Sequence, residues 1–283
     1  MAHRSAGESA LHRHLRVLDA FDALHPFLTL SEIAAATGLA PSTAHRLVGE
    51  LTAERLLERL PDRTYRLGLR LWEYAARTPG AIGLREIARP WLHSAHARIR
   101  QHIQLGVRAG TDVLFVERMS APGAVINATL IGGRIPLHAS SSGLVLLASA
   151  GEEAVRTVVA SGLRAYTTLT PRTEAELRRV LRRVRSEDVA DARGYIHREA
   201  RGIAVPVRGP DGSVYAALGA VVPDTPGPAH ETVETLRIAA AGVSRSLAEA
   251  YARGGGDAGW HGPGPDAGVP ARSWEVAATL LRR

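Results

Sequence analysis

The segment 31–67 constrains the fold of this chain more than any other part of its sequence. Ser31 is a suitable N-cap for a short helix, Gly38 suits the position after that helix, and Pro41 suits the first position of a second helix. Two short runs of strand-forming residues then flank the turn sequence at 61–63, which predicts a hairpin. A helix, a turn, a helix and a hairpin in this order predict a winged helix-turn-helix.

The hydrophobic pattern gives provisional bounds for these elements. Apolar residues recur at helical spacing from Leu11, and this pattern ends near Pro26. The predicted elements are, in chain order, a helix over Leu11–Leu24, a helix over Glu32–Thr37, a helix from Pro41 to about Leu57, and strands over Leu57–Leu60 and Thr64–Leu67.

The face of the second helix that lies away from its apolar side carries groups that bind DNA. Serine and threonine hydroxyls bond phosphates or bases, and an arginine can bond guanine through two N–H groups. The N-terminus of such a helix also favours a phosphate. At the hairpin tip, an arginine is placed to meet the DNA backbone or the minor groove. The predicted DNA-binding residues are Ser42, Thr43, His45, Arg46 and Arg63.

A second interpretation of the same face is a helical adaptor whose polar residues only face water. Glu50, Glu54 and Glu58 would be repelled by DNA if they faced it. Charge does not decide between the two, because the net charge of +7 is spread over the chain and residues 1–78 hold 10 arginines against 9 acids. The DNA-binding interpretation therefore depends on the order of the predicted elements and on the polar residues of the second helix.

Composition excludes several classes of protein. The chain has 0 cysteines, which excludes disulfides, cysteine-zinc sites, iron–sulfur clusters and thiol catalysis. Residues 1–21 carry charges throughout and lack the apolar core of a secretory signal. The longest uncharged apolar stretch, 143–150, is far shorter than the ~20 residues of a membrane helix. We expect a cytoplasmic protein that does not enter a membrane.

The chain divides into three regions by pattern: 1–80, 81–253 and 254–283. The middle region alternates strands and helices, which predicts an α+β sheet domain. In 254–270, 10 of 17 positions are Gly or Pro, which predicts a disordered tail, and 271–283 is either frayed or a short docking helix. The predicted elements of the middle region are helices over Leu84–Ile99, Thr173–Ser186 and Ala229–Tyr251, and strands over Ile103–Val107, Asp112–Met119, Val125–Ile131, Ile203–Val207 and Val214–Val222.

Several motifs, in order, resemble those of IclR-type bacterial transcriptional regulators. The first block resembles the N-terminal domain of that family and the later blocks resemble its C-terminal domain, so that the resemblance covers roughly residues 11–250. The motifs are Gly38-Leu39, Ser42-Thr43, Arg46-Leu47, Tyr65-Arg66-Leu67-Gly68, Ile131-Gly132-Gly133, Pro136-Leu137-His138-Ala139-Ser140, Gly143, Arg193-Gly194-Tyr195 and Ile203-Ala204-Val205-Pro206-Val207.

The resemblance implies an N-terminal winged helix-turn-helix, a connecting helix near Leu69–Arg77, and a C-terminal GAF-like mixed α/β domain that binds an effector and oligomerises. It implies a sequence-specific regulator, a repressor rather than an activator, that binds a double-stranded DNA operator as a dimer or tetramer. It implies neither a catalytic function nor a cofactor. The alternative is a metabolite-binding or protein-interaction module whose helix-turn-helix does not read DNA.

The resemblance also implies where an effector would bind. In the family, the loop after the Pro-Leu-His-Ala-Ser run presents backbone amides to small acids, and here those amides belong to Ser140, Ser141 and Ser142. The alternative for these serines is a simple helix cap.

This chain departs from the family pattern at the other side of that site. The segment 196–202 is about six residues shorter than usual, Gly202 replaces a frequent Cys, and Gly219 and Val221 replace a Ser-x-Ser pair. Side chains that could hold a small polar acid are therefore missing. We expect that glyoxylate and pyruvate do not bind and that an aromatic or bulky apolar ligand does, unless ligand sensing has been lost.

Three other patterns carry less weight. His93, His96 and His102 lack a sharply spaced further ligand, so no metal site is predicted. The serine run 140–142 lacks the G-x-S-x-G elbow of a hydrolase, and no catalytic residue is predicted. The arginine-rich run 178–185 is interpreted as the solvated face of an amphipathic helix rather than a nucleic-acid or membrane patch.

Overall fold

The computed structural model describes residues 9–22, 25–76, 81–127, 129–227 and 229–253. The chain divides into two compact units, Met1–Thr78 and Pro79–Arg283, called here the N-terminal and C-terminal units. The glycine- and proline-rich segment 254–270 and the candidate helix at 271–283 lie outside the described residues. No helix in the described ranges is long and apolar enough to cross a membrane.

The N-terminal unit is a helical cluster with a small antiparallel sheet. The helices pack around a core to which α1, α2, α3 and the first two strands contribute, with Val17, Phe21, Leu28, Ile33, Leu47, Val48, Leu51 and Leu57 buried. The strands pair in the order β1-β3-β2. The elements are α1 Ala10–Leu18, β1 Leu28–Thr29, α2 Leu30–Thr37, α3 Pro41–Ala53, β2 Leu57–Arg59, β3 Thr64–Leu67 and α4 Leu69–Ala76.

Helix α1 ends, and helix α2 begins, at residues other than the predicted ones. Helix α1 ends at Leu18, six residues before the predicted Leu24, and shortly after it the Asp22 carboxylate accepts a hydrogen bond from the His25 N–H (2.7 Å). Such a local side-chain bond competes with continued helix. Helix α2 is capped by Thr29 and not by Ser31, because Thr29 and Glu32 form a reciprocal capping box. Gly38 ends α2 in the left-handed conformation (φ 64°), as predicted.

The C-terminal unit is a sheet covered by helices on both faces. The sheet has the strand order β6-β5-β4-β9-β8-β7, and its pairings among the described residues are antiparallel. Strands β6 and β7 and helix α7 are elements that the sequence pattern did not predict. The elements are α5 Ala81–Ile99, β4 His102–Ala109, β5 Asp112–Met119, β6 Arg134–Pro136, a short 3₁₀ turn Leu137–Ala139, α6 Ser141–Ser149, α7 Gly151–Ala160, α8 Glu174–Glu187, β7 Ala190–Arg193, β8 Ala200–Arg208, β9 Val214–Pro223 and α9 His230–Arg253.

Strand β8 shows how the sheet separates two apolar layers. Ile203, Val205 and Val207 pack with α5 and α9, whereas the intervening Ala204 packs with α6, α7 and α8. Because side chains alternate across a strand, the sheet is buried on both faces and each face builds its own core.

Two glycines bring helix α6 close to neighbouring backbone and to the sheet. A Cβ atom at Gly143 would lie 2.2 Å from the Leu137 carbonyl oxygen, and one at Gly219 would lie 3.0 Å from Ser142 Oγ. Neither site leaves room for a larger side chain without displacement. The start of α6 is therefore held against the middle of the sheet, where it forms part of a pocket.

The predicted strand over Val125–Ile131 is wrong: the described residues of this segment form an irregular loop. Its backbone is bonded by side chains rather than by a neighbouring strand. The Val125 N–H donates to Gln101 Oε1 (3.0 Å), the Val125 carbonyl accepts from His102 Nε2 (2.5 Å), and the Thr129 carbonyl accepts from Arg118 (2.6 Å). The loop connects β5 to β6 and covers one side of the pocket.

Candidate DNA interface and effector pocket

The outer face of α3 presents most of the predicted DNA-binding side chains together. Ser42, His45 and Arg46 are exposed and Thr43 is half-buried. The opposite face, with Ala44, Leu47, Val48 and Leu51, is buried in the core of the N-terminal unit. The helix is therefore oriented by its apolar face, and its polar face is presented to a partner.

The N-terminus of α3 has no capping side chain. Its N-cap is Ala40 and its first residue is Pro41, so no side-chain oxygen accepts the amides of the first turn. Unmatched N–H groups together with the helix dipole attract an anion such as a DNA phosphate.

Arg63 lies at the tip of the hairpin formed by β2 and β3. The backbone of Arg63 is in the left-handed region (φ 67°), and its N–H donates to the Leu60 carbonyl. The neighbouring Asp62 side chain accepts a hydrogen bond from the Thr64 N–H. The Arg63 side chain is exposed. Arg63 is therefore at the end of the wing, apart from the four residues of α3.

The three acids that argued against DNA binding each contact a cation. Glu50 bonds Arg46 and His14, Glu54 bonds Arg70 (2.7 Å), and Glu58 bonds Arg66 (2.7 Å). Hydrogen bonds from His14 first, and then from Arg46, lower the pKa of the Glu50 carboxyl below its ordinary value. These pairs reduce the repulsion that isolated carboxylates would exert on a phosphate backbone.

The C-terminal unit contains a pocket at the start of α6, called here the α6 pocket, which encloses about 50 Å³. Its walls come from strands β4, β6, β7, β8 and β9, from the loop before β6, from the turn before α6 and from the turn after β7. The lining residues are Gln104, Ile126, Asn127, Thr129, Ile135, Ala139, Ser140, Ser141, Ala192, Tyr195, Ile196, His197, Ala200, Gly202 and Val221.

The serine run forms the helix start at this pocket. Ser140 is the N-cap of α6, and its Oγ accepts a hydrogen bond from the Gly143 N–H (3.0 Å). Ser141 and Ser142 occupy the first turn, where backbone amides have no partner within the helix. The helix cap and the free backbone amides that could bind an acid, which were the two alternatives for these serines, thus occur in the same short segment.

The structure separates the predicted effector residues into two groups. Ser140, Ser141, Gly202 and Val221 line the α6 pocket. Ser142 and Gly219 lie outside that lining and face each other between α6 and the sheet. Packing also explains why position 202 is a glycine, because a Cβ atom there would lie 2.9 Å from Ser141 Oγ.

Sequence reasoning missed the polar residues that complete the lining. Gln104 is buried, and its Oε1 accepts from Thr129 Oγ1 (2.7 Å) and from Asn127 Nδ2 (3.4 Å). A glutamine between the apolar residues Ile103 and Leu105 of β4 was a usable signal for a polar site. Asn127 and Thr129 could not be placed because their segment was interpreted as a strand.

His197 is a further lining residue within the shortened segment. The Glu199 N–H donates to its Nδ1 (3.3 Å), which leaves the proton of a neutral ring on Nε2. The ring can therefore offer a hydrogen-bond donor to a ligand.

Of the three histidines considered as metal ligands, His93 is exposed, and the Nε2 atom of His96 is buried without a hydrogen-bond partner. His102 bonds Ser120 Oγ (2.9 Å) and the Val125 carbonyl, and its burial lowers the pKa of the imidazole. In the described part of the chain, no group of three or more His, Asp or Glu side chains is arranged to hold a metal ion.

Two family models match the chain. The IclR helix-turn-helix domain matches residues 10–61, and the bacterial transcriptional regulator IclR C-terminal domain matches residues 78–245. The chain belongs to the IclR family. It is therefore a transcriptional regulator and not an enzyme, with a DNA-binding helix-turn-helix followed by an effector-binding domain.

Similar proteins within the IclR family match over most or about half of the chain. The HTH-type transcriptional regulator XynR of Escherichia coli (strain K12) is 32% identical over 213 residues, which cover 74% of this chain and 84% of XynR. The HTH-type transcriptional repressor AllR of Salmonella typhi is 25% identical over 166 residues, which cover 58% of this chain and 61% of AllR.

A solved structure of an IclR homolog from Microbacterium hydrocarbonoxydans, complexed with 4-hydroxybenzoate, is 43% identical to this chain. The match has a TM-score of 0.79 and covers 84% of this chain and 99% of that chain. The likeness extends over both units, and it bears out the predicted fold class of an N-terminal helix-turn-helix with a C-terminal mixed α/β domain.

Proposed function

We propose that this IclR-family regulator represses transcription in the cytoplasm by binding an operator through Ser42, Thr43, His45, Arg46 and Arg63. The observation that carries the proposal is the exposed, arginine-bearing and uncapped N-terminal half of α3. Repression is the proposed sign because AllR, a relative that is 25% identical, is named a repressor.

The residues of α3 divide the work of recognition. The first-turn amides and the hydroxyls of Ser42 and Thr43 bond phosphates and position the helix, which contributes affinity without sequence information. Arg46 reads a guanine edge in the major groove, and His45 contacts a neighbouring base or phosphate. Arg63 at the wing tip bonds the backbone beside the groove.

The DNA-binding form is a dimer or tetramer in this proposal. A single recognition helix buries too little surface for useful specificity, and paired helices read two half-sites about one helical turn apart. Helix α4 supports self-association, because Leu69 is 67% exposed and Trp72 is 64% exposed. Sedimentation at micromolar concentration should show a dimer or larger, and a monomer that retains full operator affinity would contradict this.

The α6 pocket binds an aromatic acid in this proposal. The carboxylate would lie at the amides of Ser140, Ser141 and Ser142, where the helix N-terminus favours an anion. The ring would pack against Ile126, Ile135 and Val221, and the polar side chains of the lining would bond a second polar substituent. Support comes from the 43% identical homolog that is described in complex with 4-hydroxybenzoate.

The α6 pocket is too small for an aromatic acid unless part of its wall moves. Its 50 Å³ are well below the roughly 300–1,000 Å³ of pockets that enclose drug-sized ligands. An aromatic acid must therefore displace part of the wall, and the described residues of the loop at 120–133 form no helix or strand. We propose that this displacement carries the signal of the ligand.

Calorimetric titration tests the ligand class. We expect 4-hydroxybenzoate to bind at micromolar concentration, and glyoxylate and pyruvate not to bind, because two or three carbons bury too little apolar area at about 25 cal/mol per Å². Micromolar binding of glyoxylate or pyruvate would contradict the proposed ligand class.

Selection from a random double-stranded DNA library tests sequence-specific DNA binding by α3. The full chain should enrich a paired motif, and 4-hydroxybenzoate should change its affinity for the enriched duplex. Failure to enrich any motif would contradict sequence-specific binding by α3.

A further inference from the structure

Glu50 occupies a place on α3 where an acid needs an explanation. It lies one helical turn after Arg46 on the exposed side of the helix that we propose reads DNA, and its side chain is 44% exposed. A carboxylate near a phosphate backbone weakens binding to any duplex. Its contribution must therefore be something other than general affinity.

Both oxygens of the Glu50 carboxylate are bonded to cationic or polar side chains. Oε1 accepts from Arg46 Nη1 (2.5 Å), and Oε2 lies 2.6 Å from His14 Nε2 of helix α1. The other ring nitrogen of His14, Nδ1, lies 2.7 Å from the Ala10 carbonyl oxygen. Each ring nitrogen of His14 lies within hydrogen-bond distance of an oxygen acceptor. Glu50 is thus tied to the helix scaffold while it holds Arg46.

The use of Nη1 leaves a suitable pair of donors on Arg46. A guanidinium has five N–H donors in a planar fork, so Nε and Nη2 remain for two parallel bonds to the O6 and N7 atoms of guanine. An arginine that is already held in one orientation loses less conformational freedom when it binds. The bond between Glu50 and Arg46 therefore favours the contact of Arg46 with a guanine over its contacts with other bases.

We propose that Glu50, held by His14, is a specificity-determining positioning residue that presents Arg46 to a guanine. This inference rests on the proposed role of Arg46 in base reading. Glu50 lowers the affinity for all DNA through its charge, and it raises the preference for the matched sequence through the geometry it imposes. The two effects can be measured separately.

The chain supplies a matched control in Glu54. It lies at the C-terminal end of α3, carries the same charge and is bonded to Arg70 (2.7 Å) instead of Arg46. Glu54→Gln removes an equal charge from the same helix without touching the guanidinium of Arg46. Both Glu50 and Glu54 are exposed, so neither substitution disturbs the core.

The experiment measures two affinities of the full chain, one for the duplex enriched from a random library and one for a scrambled duplex of equal length. The specificity ratio is the second dissociation constant divided by the first. Glu50→Gln should lower the ratio roughly three- to tenfold, a part of the discrimination that one bidentate contact provides, and should tighten binding to the scrambled duplex. Glu54→Gln should leave the ratio within about twofold of the original, because both affinities shift together.

Two further variants separate geometry from charge. Glu50→Asp keeps the charge but shortens the side chain, so it should lower the ratio without tightening binding to the scrambled duplex. In an Arg46→Ala background, Glu50→Gln should no longer lower the ratio, because the group that Glu50 positions is gone.

An unchanged ratio in Glu50→Gln, or an equal fall in Glu54→Gln, would overturn the proposal for Glu50 while leaving the DNA-reading role of α3 intact. An unchanged ratio in Arg46→Ala alone would instead overturn the proposed role of Arg46, and the inference with it. The two failures are therefore distinguishable in one set of measurements.

Discussion

The two units carry their functional groups in opposite ways. In the N-terminal unit, the proposed contacts lie on the exposed side of one helix and at one turn, between Ser42 and Arg63. In the C-terminal unit, the α6 pocket lies between the sheet and the start of α6, and its lining is drawn from positions as far apart as Gln104 and Val221. The comparison teaches that a DNA reader can be encoded locally, whereas an effector site depends on the packing of the whole sheet.

The units should therefore respond differently to substitution. Changes on α3 should alter binding and leave stability nearly unchanged, since its polar face contributes little to the core. Changes around α6 should alter stability and ligand binding together. Four predictions, from the largest expected effect to the smallest, test this difference.

The largest effect is expected for Gly143→Ala in α6. The new Cβ atom would lie 2.2 Å from the Leu137 carbonyl oxygen, a backbone atom that cannot move aside cheaply. The free energy of unfolding of the C-terminal unit should fall by about 3 kcal/mol. Denaturant unfolding measures this, and hydrogen exchange assigns it to the C-terminal unit.

Gly83→Ala in helix α5 is the matched control, because nothing lies within 4 Å of a Cβ atom at that position. It should be neutral or stabilise the protein by up to about 1 kcal/mol. Equal losses in the two variants would show that close packing of α6 is not what sets the effect.

The second effect concerns DNA binding by α3. Arg46→Ala should weaken specific DNA binding by about 1–3 kcal/mol, while the melting temperature stays within experimental error because the side chain is exposed. Fluorescence anisotropy with the enriched duplex measures the loss. Arg179→Ala, an exposed arginine of helix α8, serves as the charge control and should have no sequence-dependent effect. Unchanged affinity in a folded Arg46→Ala protein would refute the placement of α3 in the groove.

The third effect lies in the wall of the α6 pocket. Gln104→Met keeps the size of the side chain but removes the acceptor of the Thr129 hydroxyl, which is buried. An unsatisfied buried hydroxyl costs about 1–2 kcal/mol, so the loop at 120–133 should open more often. Hydrogen exchange of peptides from this loop measures the opening. Exchange as slow as in the original protein would mean that Gln104 does not hold the loop.

The smallest effect concerns pH. Burial lowers the pKa of His102 and His138 below the ordinary value of 6.5, so the unfolded chain binds more protons than the folded one as the pH falls past 6.5. Stability contributed by the neutral rings is therefore present above 6.5 and is lost as the pH falls, by at most about 0.8 kcal/mol per histidine at pH 6. His138→Gln should reduce this pH dependence in calorimetric unfolding, and an unaltered slope would exclude His138 as a source.

Some features could be read from the sequence because they depend on neighbouring residues. Gly38 ends α2 because a left-handed residue is needed there, and Pro41 begins α3 because its fixed φ suits a first helical turn. The spacing of Ala44, Leu47, Val48 and Leu51 determined which face of α3 is buried, and so which face is left to bind DNA.

Other features could not be read because one local signal competes with another. Both Thr29 and Ser31 are suitable caps for α2, and only Thr29 completes a reciprocal pair with Glu32. The segment 125–131 has the composition of a strand, yet the side chains of Gln101, His102 and Arg118 satisfy its backbone. Propensity was overridden there by tertiary hydrogen bonds.

The sequence by itself indicated the family through short motifs in order, and it determined the helix-turn-helix with its hairpin and the polar face of α3, because each motif and each of these elements is encoded by residues close together in the chain. Only the tertiary structure decided that Glu50 joins Arg46 to His14, and that Gly219 lies beneath Ser142 rather than in the α6 pocket. Only it placed Gln104, Asn127, Thr129 and His197 around the start of α6. The physical reason is that these contacts join residues far apart in the chain, and their partners are chosen by strand register and helix packing, which no local pattern specifies.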